Sequence, residues 1–220
     1  MAIREFVSMN HKATERDYVA RVTERDKAEV ADLALQWDYD YWDGSRQTGF
    51  GGYSYDGRWR KVADKMSETY GLKAGMRVLD VGSGKGFLLH DLAESVPGLE
   101  VHGLEISKYG IEHTMESVKD KVVYGHAKEL PFPDDHFDLV ISINTLHNLY
   151  NYELFAAFRE IERVSKGQSY ICVEAYRNER EKMNLLYWQL TCRAFHTPEE
   201  WAWIYEQTGY SGDHEYIYFE

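Results

Sequence analysis

The sequence predicts an α/β domain, a mainly parallel sheet wound on both faces by helices, with a helical and aromatic cap at its N-terminus. Three observations carry that expectation. Short apolar runs alternate with helical periodicities from residue 71 onward, the pattern of a parallel sheet with crossover helices. The first such run ends in Asp80 and leads into Gly82, Gly84 and Gly86. An acidic residue, Glu105, closes the second run roughly twenty residues beyond that turn.

Residues 15–37 place Val19, Val22, Val30, Leu33 and Trp37 at helical spacings and predict one amphipathic helix. Residues 38–60 interleave Tyr39, Tyr41, Trp42, Phe50, Tyr53, Tyr55 and Trp59 with five glycines, which predicts an aromatic loop. Val62, Met66 and Tyr70 predict a helix over 60–70 stopped by Gly71. Strands are expected at 77–81, 100–104, 122–125, 137–143, 169–175 and 214–219, and helices at 86–96, 108–119 and 152–164. Thr197, Pro198 and Glu200 spell a capping box that opens a last helix.

The 220 residues fit one domain, with 1–70 as cap and 71–220 as core. A hydrophobic fraction of 44% is enough to bury a sizeable core and argues against disorder. The formal charge of −12 repels phosphate backbones and anionic lipid surfaces, so a small-molecule partner is favoured over nucleic acid or membrane. Cys172 and Cys192 lack the spacing of a zinc or redox motif and read as reduced, buried thiols. Residues 1–17 are charged, with no signal-peptide core, and no run approaches a membrane span, so a cytoplasmic location is expected.

Taken alone, the glycine turn fits either a tight strand-to-helix connection or a ligand loop. A triphosphate-gripping loop needs Ser or Thr after its lysine, whereas Lys85 is followed by Gly86 and reads as a solvated loop charge. A dinucleotide fingerprint would carry its third glycine one residue later.

The run Val78-Leu79-Asp80-Val81-Gly82-Ser83-Gly84-Lys85-Gly86 resembles the first motif of the class I S-adenosylmethionine-dependent methyltransferases. The likeness extends from about Lys73 to Lys166, through Gly103-Leu104-Glu105-Ile106-Ser107 and the segment from Gly125 to Asp138, and more loosely to the C-terminus. It implies a Rossmann-like, seven-stranded sheet, S-adenosylmethionine as cofactor, S-adenosylhomocysteine as product and no metal. It also implies a cofactor site of Asp80, Gly82, Ser83, Gly84, Gly86, Glu105, Ile106, His126, Ala127 and Asn144, with Glu105 accepting the ribose hydroxyls. His126 stands where the family usually has an acid facing the adenine amino group; either a neutral ring nitrogen accepts there, or a backbone group substitutes. Asp138 reads as structural.

Methyl transfer from a sulfonium is an in-line displacement that needs alignment and dryness, and a base only where the acceptor must lose a proton. After the fourth and fifth strands, His147 and Glu174 are the candidates for that base. A histidine packed at a helix start and an ordinary Glu–Arg pair are the alternatives. Asn144 stands where a metal-dependent relative would carry a carboxylate, so no metal is expected. The aromatic loop sits where related enzymes place an acceptor lid; Tyr53, Tyr55 and Arg58, with His147 and Tyr176, are the acceptor contacts it suggests, and a satellite core is the alternative.

The resulting expectation is methylation of an O or N atom of a small polar metabolite, a modified sugar being one candidate. A tRNA or protein methyltransferase and a non-catalytic cofactor-binding protein stand as rivals. The oligomeric state is left open, a homodimer included.

Overall fold

A computed structural model describes residues 1–8, 11 and 16–220. Its centre is a six-stranded sheet of order β3-β2-β1-β4-β5-β6, built from β1 (Arg77–Val81), β2 (Glu100–Glu105), β3 (Val122–Tyr124), β4 (Leu139–Ile143), β5 (Ser169–Glu174) and β6 (Asp213–Ile217). Every neighbouring pair is parallel. Seven strands were expected from the resemblance; among the described residues this sheet has six, and β6 pairs directly with β5 from Tyr170↔Asp213 to Glu174↔Ile217.

The strands are nearly continuous apolar runs because both faces are covered. One face packs Val78, Leu139, Tyr170 and Cys172 against the helices α4 (Arg60–Tyr70) and α5 (Phe87–Ser95), which contributes Leu89. The other packs Leu79, Val140 and Ile171 against α7 (Asn151–Val164) and α9 (Pro198–Thr208), where Phe158 and Trp201 are fully buried. α4 stops at Gly71 in the left-handed region, and α9 opens with the capping box expected from Thr197 and Glu200.

Two local expectations are corrected and one helix was not foreseen. The single helix over 15–37 is two short ones, α1 (Ala20–Thr23) and α2 (Lys27–Ala34), because Asp26 accepts the Ala28 and Glu29 amides and starts a new helix; residue 15 lies outside the described residues. The helix over 108–119 is α6 (Lys108–Glu112) followed by a 3-10 turn, since the Met115 amide donates to the Lys85 carbonyl rather than back along the helix. α8 (Glu179–Trp188) was missed: only Glu181 and Leu185 are buried in it, so it has no apolar stripe to read.

The aromatic loop contains one helical turn, α3 (Tyr39–Trp42), capped by Asp38. At the far edge, Glu215 of β6 accepts the amides of Phe6 at 2.7 Å, Val7 at 3.0 Å and Ser8 at 2.6 Å, together with the Tyr170 hydroxyl, and so pins the N-terminal segment to the sheet. Cys172 and Cys192 are free and buried.

Candidate functional site

The chain leaves β1 through a turn that only glycine can make. Gly82 adopts φ 85°, and a Cβ there would lie 2.1 Å from Thr145 Oγ1. Gly84 adopts φ 55°, and its Cβ would meet the Trp42 ring at 3.0 Å. The turn is tied to β2 by the Gly82 amide, which donates to the Leu104 carbonyl at 2.7 Å. Above it, at the carboxyl ends of β1, β2 and β4, opens a cavity of about 530 Å³.

Glu105 is 5% exposed and lies on the cavity wall. Its Oε1 accepts the amides of Ile106 at 2.9 Å and Ser107 at 2.8 Å, and its Oε2 accepts that of Gly84 at 2.7 Å. A carboxylate offers about four lone-pair positions, so one on Oε2 stays open to a ligand. Burial pushes the Glu105 carboxyl up, against the pull of those three amides. Asp80, also on the wall, is raised to about 7, first by burial and then by the charge of Glu105.

The cap is locked to this floor. Trp42 Nε1 donates to Ser107 Oγ at 2.8 Å, and the Trp42 ring stacks on Phe50 at 5.6 Å. Lys85, expected to be solvated, is 5% exposed instead: its ammonium meets both Asp43 oxygens at 2.7 Å and the Tyr53 carbonyl at 2.8 Å. Tyr109 adds its hydroxyl to Asp43 at 2.8 Å. Burial alone would raise Asp43, but the bonds from Lys85, Tyr109 and the Tyr53 amide outweigh it and hold it low.

Of the expected site residues, Asp80, Gly82, Ser83, Gly84, Glu105, Ile106, His126, Ala127, Asn144, Tyr53 and Arg58 line the cavity. Gly86 does not; it caps α5 behind the turn, at φ 72°. Tyr55 turns away, its hydroxyl on Asp91 at 2.8 Å, and Tyr176 lies under Lys182 with its backbone amide on His196.

His147 and Glu174 stand apart from the cavity lining. Neither lies on the cavity wall, and they are 2% and 4% exposed. Burial drives His147 down to about 3 and Glu174 up to about 8, favouring the uncharged form of each. The Glu174 amide donates to His147 Nδ1 at 3.2 Å, which puts the ring proton on Nε2, 3.5 Å from Glu174 Oε2. Gln189 Nε2 donates to Glu174 Oε1, and the His147 carbonyl accepts the amides of Arg193 and Ala194 at 2.8 and 2.9 Å. The pair thus anchors the strap of residues 189–194.

His126 has its accepting ring nitrogen engaged by the backbone. Its Nδ1 accepts the Lys128 amide at 3.1 Å, leaving Nε2 as a donor 3.7 Å from Glu153 Oε1. Burial and then Lys128 lower its pKa, so the ring is neutral. Glu153 of α7 shares the cavity wall and was missed, because nothing local marks a helical glutamate as facing a ligand. Also missed were Trp37, Asn148, Tyr150 and Arg193, which the fold brings in from separate segments. Asn144 sits just after β4 at φ 54°, a left-handed position that Asn tolerates. No group of three or more His, Cys, Asp or Glu among the described residues could hold a metal ion, and no described helix is long and apolar enough to cross a membrane.

A family model described as a methyltransferase domain matches residues 72–209, more than half of the chain. The chain belongs to the class I S-adenosylmethionine-dependent methyltransferases. This family member is 31% identical over 164 residues to a demethylmenaquinone methyltransferase of Staphylococcus aureus, an alignment covering 68% of the chain and 66% of the relative. It thus spans slightly less than two thirds of the curated relative's length. Among solved structures, an S-adenosylmethionine-dependent methyltransferase from Archaeoglobus fulgidus matches with TM-score 0.52 and 27% identity, over 68% of each chain. The YcgJ protein from Bacillus subtilis matches with TM-score 0.55 and 23% identity over 66% of each, a likeness of fold. The methyltransferase core so defined, 72–209, contains the glycine turn and Glu105, while the aromatic cap lies outside it.

Proposed function

We propose that the protein transfers a methyl group from S-adenosylmethionine to a small molecule held between the glycine turn and the aromatic cap. The observation that carries this is the open lone pair of Glu105 beside a turn that excludes side chains at Gly82 and Gly84. In this reading Glu105 takes a ribose hydroxyl and Asp80 faces the cationic methionine end. Glu153 takes the adenine amino group in place of His126, since among the described residues its carboxylate accepts only from Lys128 Nζ, on Oε1 at 2.8 Å. When bound, the cofactor supplies the activated methyl group; the chain's part is to align the two reactants and keep water out. Ring faces on the wall also favour a sulfonium cation.

With His147 and Glu174 off the wall, the reading favours an O or N acceptor whose lone pair is available without a histidine base. A modified sugar stays within that class. The aromatic wall and the demethylmenaquinone named in the curated relative favour a second reading, an acceptor of that kind. A panel of sugars, amines, phenols and quinones, followed by mass spectrometry for S-adenosylhomocysteine, tests both. Cofactor binding without turnover on any of them would favour a non-catalytic binding protein.

A pH prediction follows from Asp80. A cationic ligand prefers the ionised carboxylate, so below about 7 binding must first expel a proton. Cofactor affinity is expected to rise with pH up to about 7 and then flatten. Asp80→Asn is expected to remove the slope, which calorimetry from pH 5.5 to 8.5 reads directly. A slope unchanged in Asp80→Asn would assign the methionine end elsewhere.

A further inference from the structure

The cavity wall carries two arginines of different standing. Arg58 is already engaged, its guanidinium on Asp56 at 2.6–3.0 Å. Arg193 is exposed, lines the cavity, and makes no ion pair or side-chain hydrogen bond among the described residues. Its guanidinium lies 5.3 Å from the centre of the Tyr150 ring, itself half-exposed, so the two stand together at the cavity rim.

Arg193 is held there deliberately by the fold. Its amide donates to the His147 carbonyl at 2.8 Å, Thr191 Oγ1 donates to Asn148 Oδ1 at 2.8 Å, and Gln189 reaches Glu174. Three anchors over five residues fix a strap whose one cavity-facing charge is left without a partner. On a chain of formal charge −12, that uncompensated guanidinium is a local attraction for an anion that the rest of the surface repels. Its planar fork suits a carboxylate or phosphate, with two parallel N–H donors. The same cavity is lined by Trp37, Tyr41 and Trp42, whose rings suit a flat apolar body.

We infer that Arg193 is the acceptor-recognising residue, and that the acceptor is a small molecule with a flat body and a carboxylate or phosphate group placed at the rim. This rests on the methyltransferase reading above and adds the substrate's charge to it. The His147–Glu174 pair then acts as a positioning device for the strap.

The test uses the full chain loaded with S-adenosylhomocysteine and titrated with 1-naphthoate, 1-naphthyl phosphate and neutral 1-naphthylmethanol. At least one of the two anions is expected to bind about tenfold or more tighter than the alcohol, and Arg193→Gln to erase that difference while leaving the alcohol unchanged. The tighter anion tells carboxylate from phosphate. Arg193→Lys, which keeps the charge and loses the fork, is expected to fall between. S-Adenosylhomocysteine affinity is expected to stay within about twofold in Arg193→Gln. Anions no better than the alcohol, or an Arg193→Gln variant that still prefers them, would overturn the inference. A loss of S-adenosylhomocysteine affinity in that variant would assign Arg193 to the cofactor and overturn it too. Failure of the wild-type protein to bind S-adenosylhomocysteine would instead sink the underlying reading.

Discussion

Asp43→Ala is expected to destabilise the protein by about 3 kcal/mol, because it strands a buried lysine. Lys85 keeps 7% of its side-chain surface and Asp43 26%, so the pair is largely but not wholly dry, and the lower end of the range for broken buried pairs applies. The Tyr109 hydroxyl and the Tyr53 amide lose their acceptor as well. Urea unfolding measures the loss. Asp120→Ala, which breaks an exposed pair with Lys121, serves as the control and is expected to leave the midpoint unchanged. Asp43→Ala is also expected to weaken cofactor binding, since Lys85 is part of the glycine turn. Full stability in Asp43→Ala would mean that the cap docks by its rings alone.

The second large effect is at Glu105. Under the proposed function, Glu105→Ala is expected to weaken S-adenosylhomocysteine binding about a hundredfold, by removing both a ligand contact and the acceptor for the Gly84 amide. Glu105→Gln is expected to do nearly as much, because an amide nitrogen would face the backbone N–H groups that the carboxylate now satisfies. Calorimetry gives the affinity, and circular dichroism shows whether the fold survives. An unchanged affinity in either variant would remove Glu105 from the site.

The alternation of strand and helix was legible in the sequence because the central strands, buried on both faces, are short and mostly apolar runs such as Leu139–Ile143. The glycine turn was legible because the positive φ of Gly82, Gly84 and Gly86 demands glycine locally, and Glu105 stood out by its place at the end of β2. Lys85 was misread for the opposite reason: its partner Asp43 is 42 residues away, and no local pattern announces that pairing. His147 stayed open between a base and a packed ring because a histidine after β4 looks the same whether its ring faces a cavity or the core. Glu153 and Arg193 come to the wall from α7 and from the strap, so only tertiary packing reveals them. The helix Glu179–Trp188 was invisible because it offers the core little but Leu185.

The cradle that Glu215 makes for the amides of Phe6, Val7 and Ser8 has an effect beyond the cavity. A sheet edge with free amides and carbonyls invites a second chain to extend it. Here Ala2 and Arg4 occupy the His214 backbone groups, and the Glu215 carboxylate turns the following residues aside from the strand. At the opposite edge, β3 is only three residues long. Among the described residues, both borders are thereby shortened as templates for strand addition.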